Sequence, residues 1–251
     1  MERNIKFTIR FKGTDYHGWQ LQENADTVQA QMMRAIKKIT GENVKLHGCS
    51  RTDSGVHANM FCCNARINKD IDCQKLMRGL NAVLGDDIGV YGCSVVPDGF
   101  HSRFDCVGKE YIYRIWNSEC KNPFIKDTVL QYPYKLDEKM LDRQAAYFVG
   151  THDFSAFCSS GTDVENKVRT IYSCNVKRDG ELVTVTVSGD GFLYNMVRII
   201  VGTLLDIQSG KIPEDSVPEI IASRDRNRSG VTAKADGLHL NKVYYDPKEV
   251  L

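Results

Sequence analysis

The feature that most constrains the fold is a change of hydrophobic period that recurs along the chain. Residues 5–11 alternate between apolar and polar side chains, the pattern of a strand buried on one face. Apolar residues then recur every three or four positions, which predicts a helix from Asp26 or Thr27 to about Thr40, ended by Gly41. The same criteria predict strands over 46–49 and 60–65, a helix over 72–84 and a strand over 88–96. This β-α-β-β-α-β order is that of the ferredoxin-like unit.

The second half of the sequence predicts the same order again. Its elements are a strand over 109–116, a helix over 137–149 ended by Gly150, a hairpin of strands 169–177 and 182–188, helices over 195–207 and 213–223, and a strand over 238–245. We therefore predict an α+β protein of two ferredoxin-like halves, 1–105 and 106–251. Two such halves can pack or join their mostly antiparallel, helix-flanked sheets, and the cleft between them is where a ligand is expected.

The charge balance argues against a chain that is basic overall. Thirty-three Lys and Arg residues oppose 32 Asp and Glu residues, a formal net charge of +1. A nucleic-acid surface must therefore be a local patch. The candidates are arginines and lysines on the first helix and in a later cluster: Arg34, Lys37, Lys38, Arg224, Arg226 and Arg228.

Cysteine usage and the N-terminal residues predict a soluble cytoplasmic protein. The nine cysteines contain no C-x-x-C pair, which favours reduced thiols. The first residues show no apolar run of signal-peptide length, and the most apolar later stretch, residues 196–205, is too short to span a bilayer. No membrane association is expected.

The stretch from Gly48 to Ala58 reads GCSRTDSGVHA and lies between two predicted strands. Asp53, Ser54 and Gly55 have the composition of a tight turn, and an aspartate in such a turn usually caps its own backbone. Two ionisable neighbours favour a functional reading: Arg51 precedes the carboxylate and His57 follows it. Ionisable groups that crowd the tip of a strand-supported loop are typical of catalytic sites.

A second loop, residues 13–22, is rich in glycine and aromatic residues. Tyr16 and Trp19 could pack inside the loop, or they could stack on RNA bases while Gln20 and Gln22 form hydrogen bonds to them. The sequence leaves both alternatives open.

Two residues of the second half are also candidates. Alternation places Tyr111 and Tyr113 on one face of their strand, so Tyr111 is either a half-buried sheet residue or a ring that stacks on an extruded base. Arg198 lies in an otherwise apolar helix, where it must either extend to solvent or meet an anion such as the Asp53 carboxylate.

The octapeptide from Arg51 to Ala58, RTDSGVHA, resembles the signature Arg-Thr-Asp-x-Gly-Val-His-Ala of the tRNA pseudouridine synthase A family. Similar segments extend over nearly the whole chain: residues 13–22, Val28-Gln29, 100–104, Tyr111, 150–154, 192–198 and 232–238. The chain departs from the family pattern at Lys12, Ser50 and Gly85, none of which is a matched functional position. These departures leave open a paralogue with another RNA target.

The resemblance implies an isomerase that converts uridine to pseudouridine in tRNA, at nucleotides 38, 39 and 40 of the anticodon arm, by base flipping. It implies that Asp53 is the nucleophile, that Arg198 pairs with it, that Tyr111 contacts the target base, and that Arg51 helps to hold the flipped nucleotide. It further implies two ferredoxin-like halves sharing one central sheet, a homodimer and no cofactor.

Alternative readings of the residues remain. His47 and Cys49 share a strand face near Cys62 and Cys63, but this spacing is not a recognised zinc pattern. A cysteine nucleophile lacks an evident histidine partner. The alternative of another class is a non-catalytic RNA-binding or RNA-folding protein on the same scaffold, which need not have retained Asp53, Tyr111 and Arg198.

Overall fold

In the computed structural model, residues 2–162 and 164–250 are described, and they divide into two units. The first unit comprises the residues up to Val107 together with His239–Tyr245. The second comprises Gly108–Leu238 and the residues from Asp246 onward. The first unit is therefore discontinuous in sequence, because the C-terminal strand belongs to it.

The N-terminal part of the first unit has the predicted β-α-β-β-α-β order. Its elements are β1 (Arg3–Phe11), α1 (Val28–Thr40), β2 (His47–Gly48), β3 (His57–Ile67), α2 (Cys73–Val83) and β4 (Ile88–Val96). Strand β1 lies between β4 and β3 and is antiparallel to both, while β2 pairs antiparallel with the other edge of β3. The order β4-β1-β3-β2 is that of a ferredoxin-like sheet.

Local sequence explains where these elements begin and end. Ile5, Phe7 and Ile9 are fully buried, as the alternation predicts. The Thr27 side chain accepts a hydrogen bond from the Ala30 N–H and caps α1, and Gly41 ends the helix in the left-handed conformation.

The second unit begins with β5 (Gly108–Trp116) and repeats the order with additions. Its further elements are β6 (Leu130–Gln131), α3 (Glu138–Ala146), β7 (Gly150–Asp153), β8 (Val168–Asp179), β9 (Leu182–Gly189), α4 (Met196–Gln208) and α5 (Val217–Ser223). The strands follow the order β5-β9-β8-β7 with antiparallel pairing, and β6 pairs parallel with β5. The predicted fold class, α+β with sheets flanked by helices, is confirmed.

The last strand, β10 (Leu238–Tyr244), pairs parallel with the start of β3, where His239 lies opposite His57 and Leu240 opposite Ala58. The Tyr245 hydroxyl donates to the Ser102 carbonyl oxygen at 2.8 Å. These contacts attach the C-terminal segment to the first unit.

Helix α4 is apolar nearly all round because it is buried nearly all round. A Cβ at Gly202 would overlap the Val231 carbonyl oxygen, so residues 230–233 lie directly against the helix. Gly230 N–H donates to Thr203 Oγ1 and Val231 N–H donates to the buried Asp206 carboxylate. This close packing fixes the segment that follows α5.

Some predicted boundaries are wrong. The helix over 137–149 ends at Ala146, and Gly150 begins β7. The helix over 213–223 begins only at Val217, because Asp215 has a φ of 61° and interrupts the first turn. Strands β6 and β7 were not predicted, since two and four residues are too few to show a period.

All nine cysteines are free thiols. No helix within the described part of the chain combines the length and the hydropathy needed to cross a membrane.

Candidate active site

Asp53 lies in the connection between β2 and β3 of the first unit. The Val56 N–H donates to the Asp53 carbonyl oxygen at 3.2 Å, which closes the predicted turn over Asp53-Ser54-Gly55. Asp53 is half-buried, whereas Arg51 and Ser54 are exposed. The carboxylate therefore stands at the first position of a tight turn.

A separate segment, residues 13–19, holds this connection in place. The Trp19 N–H donates to the Thr52 carbonyl oxygen, and the Gly55 N–H and the Ser54 hydroxyl both donate to the Tyr16 carbonyl oxygen, at 3.2–3.3 Å. Gly18 has a φ of 79°, and a Cβ there would overlap the Thr52 carbonyl oxygen. Only glycine allows this approach without strain. We call residues 13–19 the brace and residues 49–56 the Asp53 loop.

The aromatic residues of the brace are packed inside the unit. Trp19 is 2% exposed and stacks on Phe61 with ring centroids 4.1 Å apart, and Tyr16 is also buried. For these two rings the structure confirms the packed-loop alternative over base stacking. Gln20 and Gln22 are exposed.

His57 does not lie at the tip of the loop, contrary to the sequence-based expectation. It begins β3, is 2% exposed, and its ring lies 4.7 Å from that of His239. The Gly13 N–H donates to His57 Nδ1 at 2.9 Å, so this nitrogen carries no proton. Sequence reasoning missed this role because the donor is a backbone group 44 residues away.

Tyr111 lies on β5 of the second unit and is buried on the same face as Tyr113. The Phe192 ring meets Tyr111 nearly edge-on, with centroids 5.0 Å apart. The Tyr113 hydroxyl donates to the Lys234 carbonyl oxygen. Burial raises the pKa of Tyr113, an effect that Asp236 adds to and Arg198 opposes.

Arg198 lies in the first turn of α4 and is half-buried. Its Nε donates to the Ala233 carbonyl oxygen at 2.7 Å and its Nη1 to Asn195 Oδ1 at 2.8 Å. Asn195 precedes the helix with a φ of 60° and donates from its own amide to Ser159 Oγ. The guanidinium is thus held by specific acceptors. No local sequence pattern indicates the acceptor at Ala233, which is 35 residues away along the chain.

The four arginines predicted to belong to an RNA surface each contact other groups of the protein. Carboxylates lie near three of the arginines, in the pairs Arg34–Asp26 (2.7 Å), Arg224–Asp153 (3.2 Å) and Arg228–Glu219 (3.6 Å). Arg226 donates to Ser229, Gly230 and Thr232. Exposed ion pairs of this kind are weak, and the place of these arginines in an RNA surface stays a prediction.

The cysteines near His47 have ordinary packing roles. The Cys62 N–H points at the buried Cys49 Sγ at 3.4 Å, and burial raises the pKa of the Cys63 thiol. Among the residues that the structure describes, no three His, Cys, Asp or Glu side chains form a group suited to a metal ion.

The sequence model of the family described as tRNA pseudouridine synthase matches residues 8–105 and 144–246. These matches include both the Asp53 loop and α4. The chain therefore belongs to the tRNA pseudouridine synthase family, as its octapeptide predicts.

Individual proteins are similar to this chain over nearly its whole length. The chain is 48% identical to tRNA pseudouridine synthase A of Acetivibrio thermocellus, over 97% of this chain and all of that protein. It is 45% identical to the protein of the same name from Clostridium acetobutylicum, with the same coverage. It is 39% identical to tRNA pseudouridine synthase A 2 of Clostridium tetani, over 98% of this chain and all of that protein.

Proposed function

We propose that this protein isomerises uridine to pseudouridine in tRNA, at nucleotides 38, 39 and 40 of the anticodon arm. Membership of the tRNA pseudouridine synthase family supports the reaction, and relatives named tRNA pseudouridine synthase A support tRNA as the substrate. The observation that carries the proposal is the octapeptide RTDSGVHA, which places an aspartate at the first position of a braced turn.

The chemistry explains why such an aspartate is needed. The reaction breaks the C–N glycosidic bond of uridine, turns the base and forms a C–C bond to the same sugar. No electrons are gained or lost overall, so the reaction demands neither a redox cofactor nor a metal. It does demand an anionic group beside the sugar or the uracil ring, and we assign this role to Asp53.

A paired uridine is inaccessible to a protein carboxylate, so the nucleotide must be extruded, at a cost of roughly a few kcal/mol. Arg51 is exposed and lies two residues from the carboxylate. We assign it to the displaced strand, where its guanidinium contacts phosphate or fills the gap left in the base stack. We assign Tyr111 to the flipped base, with its ring orientation set by Phe192.

A carboxylate in a site that excludes water needs a cation, because desolvation alone favours its protonated form. We assign this cation to Arg198. The hydrogen bonds from its Nε and Nη1 support the assignment, because they fix the plane of the guanidinium. A homodimer acting in the cytoplasm completes the proposal.

The decisive experiment uses tRNA that carries tritium at uracil C5, since forming the new C–C bond at that carbon releases the label. The native protein should release tritium and Asp53→Asn should not, although the amide has nearly the same shape. Substrates with a single uridine at nucleotide 38, 39 or 40 identify the positions modified.

The alternative class of protein predicts the opposite result. A non-catalytic RNA-binding protein would retain tRNA on a filter but release no tritium from any tRNA pool. Release from another RNA, with none from the anticodon arm, would identify a paralogue with a different target.

A further inference from the structure

A turn in the first unit, residues 101–105, displays an aromatic ring at the surface. Phe104 is 75% exposed although it belongs to a tightly closed turn. The Phe104 and Asp105 N–H groups both donate to the His101 carbonyl oxygen, and the His101 N–H donates to Asp105 Oδ2 at 2.9 Å. The exposed ring is therefore held in a defined place.

Buried polar groups anchor this turn to the sheet. Ser102 is fully buried, and its N–H donates to Asn64 Oδ1 at 2.9 Å. The Asn64 amide donates in turn to Asn4 Oδ1, and the amides of both asparagines donate to the Phe100 carbonyl oxygen. These buried hydrogen bonds hold the backbone of the segment against the sheet.

The Phe104 ring belongs to a cluster of three rings. The His101 ring lies 4.3 Å from that of Phe104 and 4.6 Å from that of His47. Burial, together with His101 and Lys45, lowers the pKa of His47 and so favours its neutral form. His101 Nδ1 accepts the Arg103 N–H at 3.1 Å. The cluster supports Phe104 from the protein side and leaves its ring largely open to solvent.

A basic group lies beside the exposed ring. The guanidinium of Arg103, an exposed residue, lies 5.9 Å from the Phe104 ring centroid. An aromatic face beside cationic side chains is the arrangement that binds unpaired nucleotides, by stacking on the base and attraction to the phosphate. A single ring among charged groups is also too small an apolar area to hold a second protein chain.

We propose that Phe104 is a stacking platform for an unpaired base of the substrate tRNA, with Arg103 contacting an adjacent phosphate. This inference rests on the proposed function, since it takes tRNA as the ligand. It adds a second nucleotide contact to the one assigned to the flipped uridine.

The first test measures the dissociation constant for unmodified tRNA in the Asp53→Asn background, where no turnover occurs. Phe104→Ala should raise the dissociation constant about 10-fold. Phe104→Tyr keeps an aromatic face, so its dissociation constant should stay within about 3-fold of that of Asp53→Asn alone. The control is Phe124→Ala, which removes a ring that is 94% exposed in the second unit and should leave binding unchanged. Melting temperatures should not differ, because neither ring is packed in a core.

Three outcomes would overturn the inference. Unchanged binding by Phe104→Ala is the first, and equal losses for Phe104→Ala and Phe124→Ala are the second. The third is a change in sedimentation of Phe104→Ala with unaltered tRNA affinity, since the ring would then contact another copy of the chain.

A second test asks whether a base is the partner. A set of tRNAs, each with one abasic nucleotide at a different unpaired position, is tested for binding to Asp53→Asn with and without Phe104→Ala. At one position the missing base should weaken binding to Asp53→Asn as much as Phe104→Ala does. At that position Phe104→Ala should cause no further loss of affinity. If the two losses add at every position, the stacking assignment is wrong. Failure of the proposed function looks different: native protein would then release no tritium from any tRNA.

Discussion

The two units join corresponding strands in opposite ways. In the second unit, β8 and β9 stay paired up to Asp179 and Leu182, so a two-residue turn joins them. In the first unit, β2 has only two residues, and the whole Asp53 loop separates it from β3. One connection is a plain hairpin turn, and the other carries the aspartate.

The difference shows how a loop is held once its hairpin is shortened. The ladder of hydrogen bonds between β8 and β9 supports its own turn. The Asp53 loop has no such ladder, and the brace holds it in position instead. Because β2 is short, the loop is longer than a hairpin turn, and its position depends on a distant part of the chain.

The candidate residues of the second unit lie on regular elements. Tyr111 is part of β5 and contacts Phe192, and Arg198 is part of α4 and donates to the Ala233 carbonyl oxygen. Replacement of the half-buried Arg198 should cost little stability, whereas replacements in the brace should affect both stability and activity.

The largest effect is expected from Arg198→Ala. Turnover should fall about 100-fold or more because the Asp53 carboxylate loses its proposed cation, while tRNA affinity and melting temperature should stay near those of the native protein. Single-turnover tritium release and filter binding measure the two quantities. Arg198→Lys is the control, and it should recover only part of the rate because an ammonium group lacks the planar fork. Normal turnover by Arg198→Ala would mean that the pairing with Asp53 is wrong.

An intermediate effect is expected from replacing two glycines that both have a positive φ: Gly18, which supports the Asp53 loop, and Gly180, which lies in the turn between β8 and β9. Gly18→Ala should lower the free energy of unfolding by about 2 kcal/mol or more and slow turnover about 10-fold, because its Cβ pushes the Thr52 carbonyl away. Gly180→Ala, with a φ of 57° and open space around the new Cβ, should cost only about 1 kcal/mol and leave turnover unchanged. Urea unfolding and tritium release measure both variants. Equal behaviour of the two would remove the distinction between a braced loop and a self-supporting turn.

The smallest effect concerns the hydrogen bond between Gly13 and His57. His57→Leu leaves the buried Gly13 N–H without an acceptor, at a cost of about 1–3 kcal/mol. His57→Asn loses the ring but keeps an acceptor near the position of Nδ1, so it should be the more stable of the two. Urea unfolding gives the comparison. A leucine variant as stable as the asparagine variant would show that the ring matters for packing alone.

The sequence predicted the features that depend on local pattern. The strand–helix order, the Thr27 cap, the Gly41 stop and the hairpin at Gly180 follow from period, capping and turn chemistry. The octapeptide predicted the family, which the family model confirms. The assigned roles of Asp53, Arg51, Tyr111 and Arg198 stay predictions.

What the sequence did not predict depends on contacts between distant residues. The brace, the burial of His57 and the acceptor for Arg198 at Ala233 all join groups more than thirty residues apart. The display of Phe104 likewise depends on Asn64, a strand residue whose polar character alone says nothing about its partner. Period and propensity contain no information about such pairs.

The discontinuity of the first unit has a consequence for synthesis on the ribosome. Strand β10 pairs with β3 beside His57, so residues that follow the segment Gly108–Leu238 complete the surroundings of a loop translated before that segment. A nascent chain would expose this edge of β3 until those residues emerge. The surroundings of the Asp53 loop are therefore complete only after the segment Gly108–Leu238 has been synthesised.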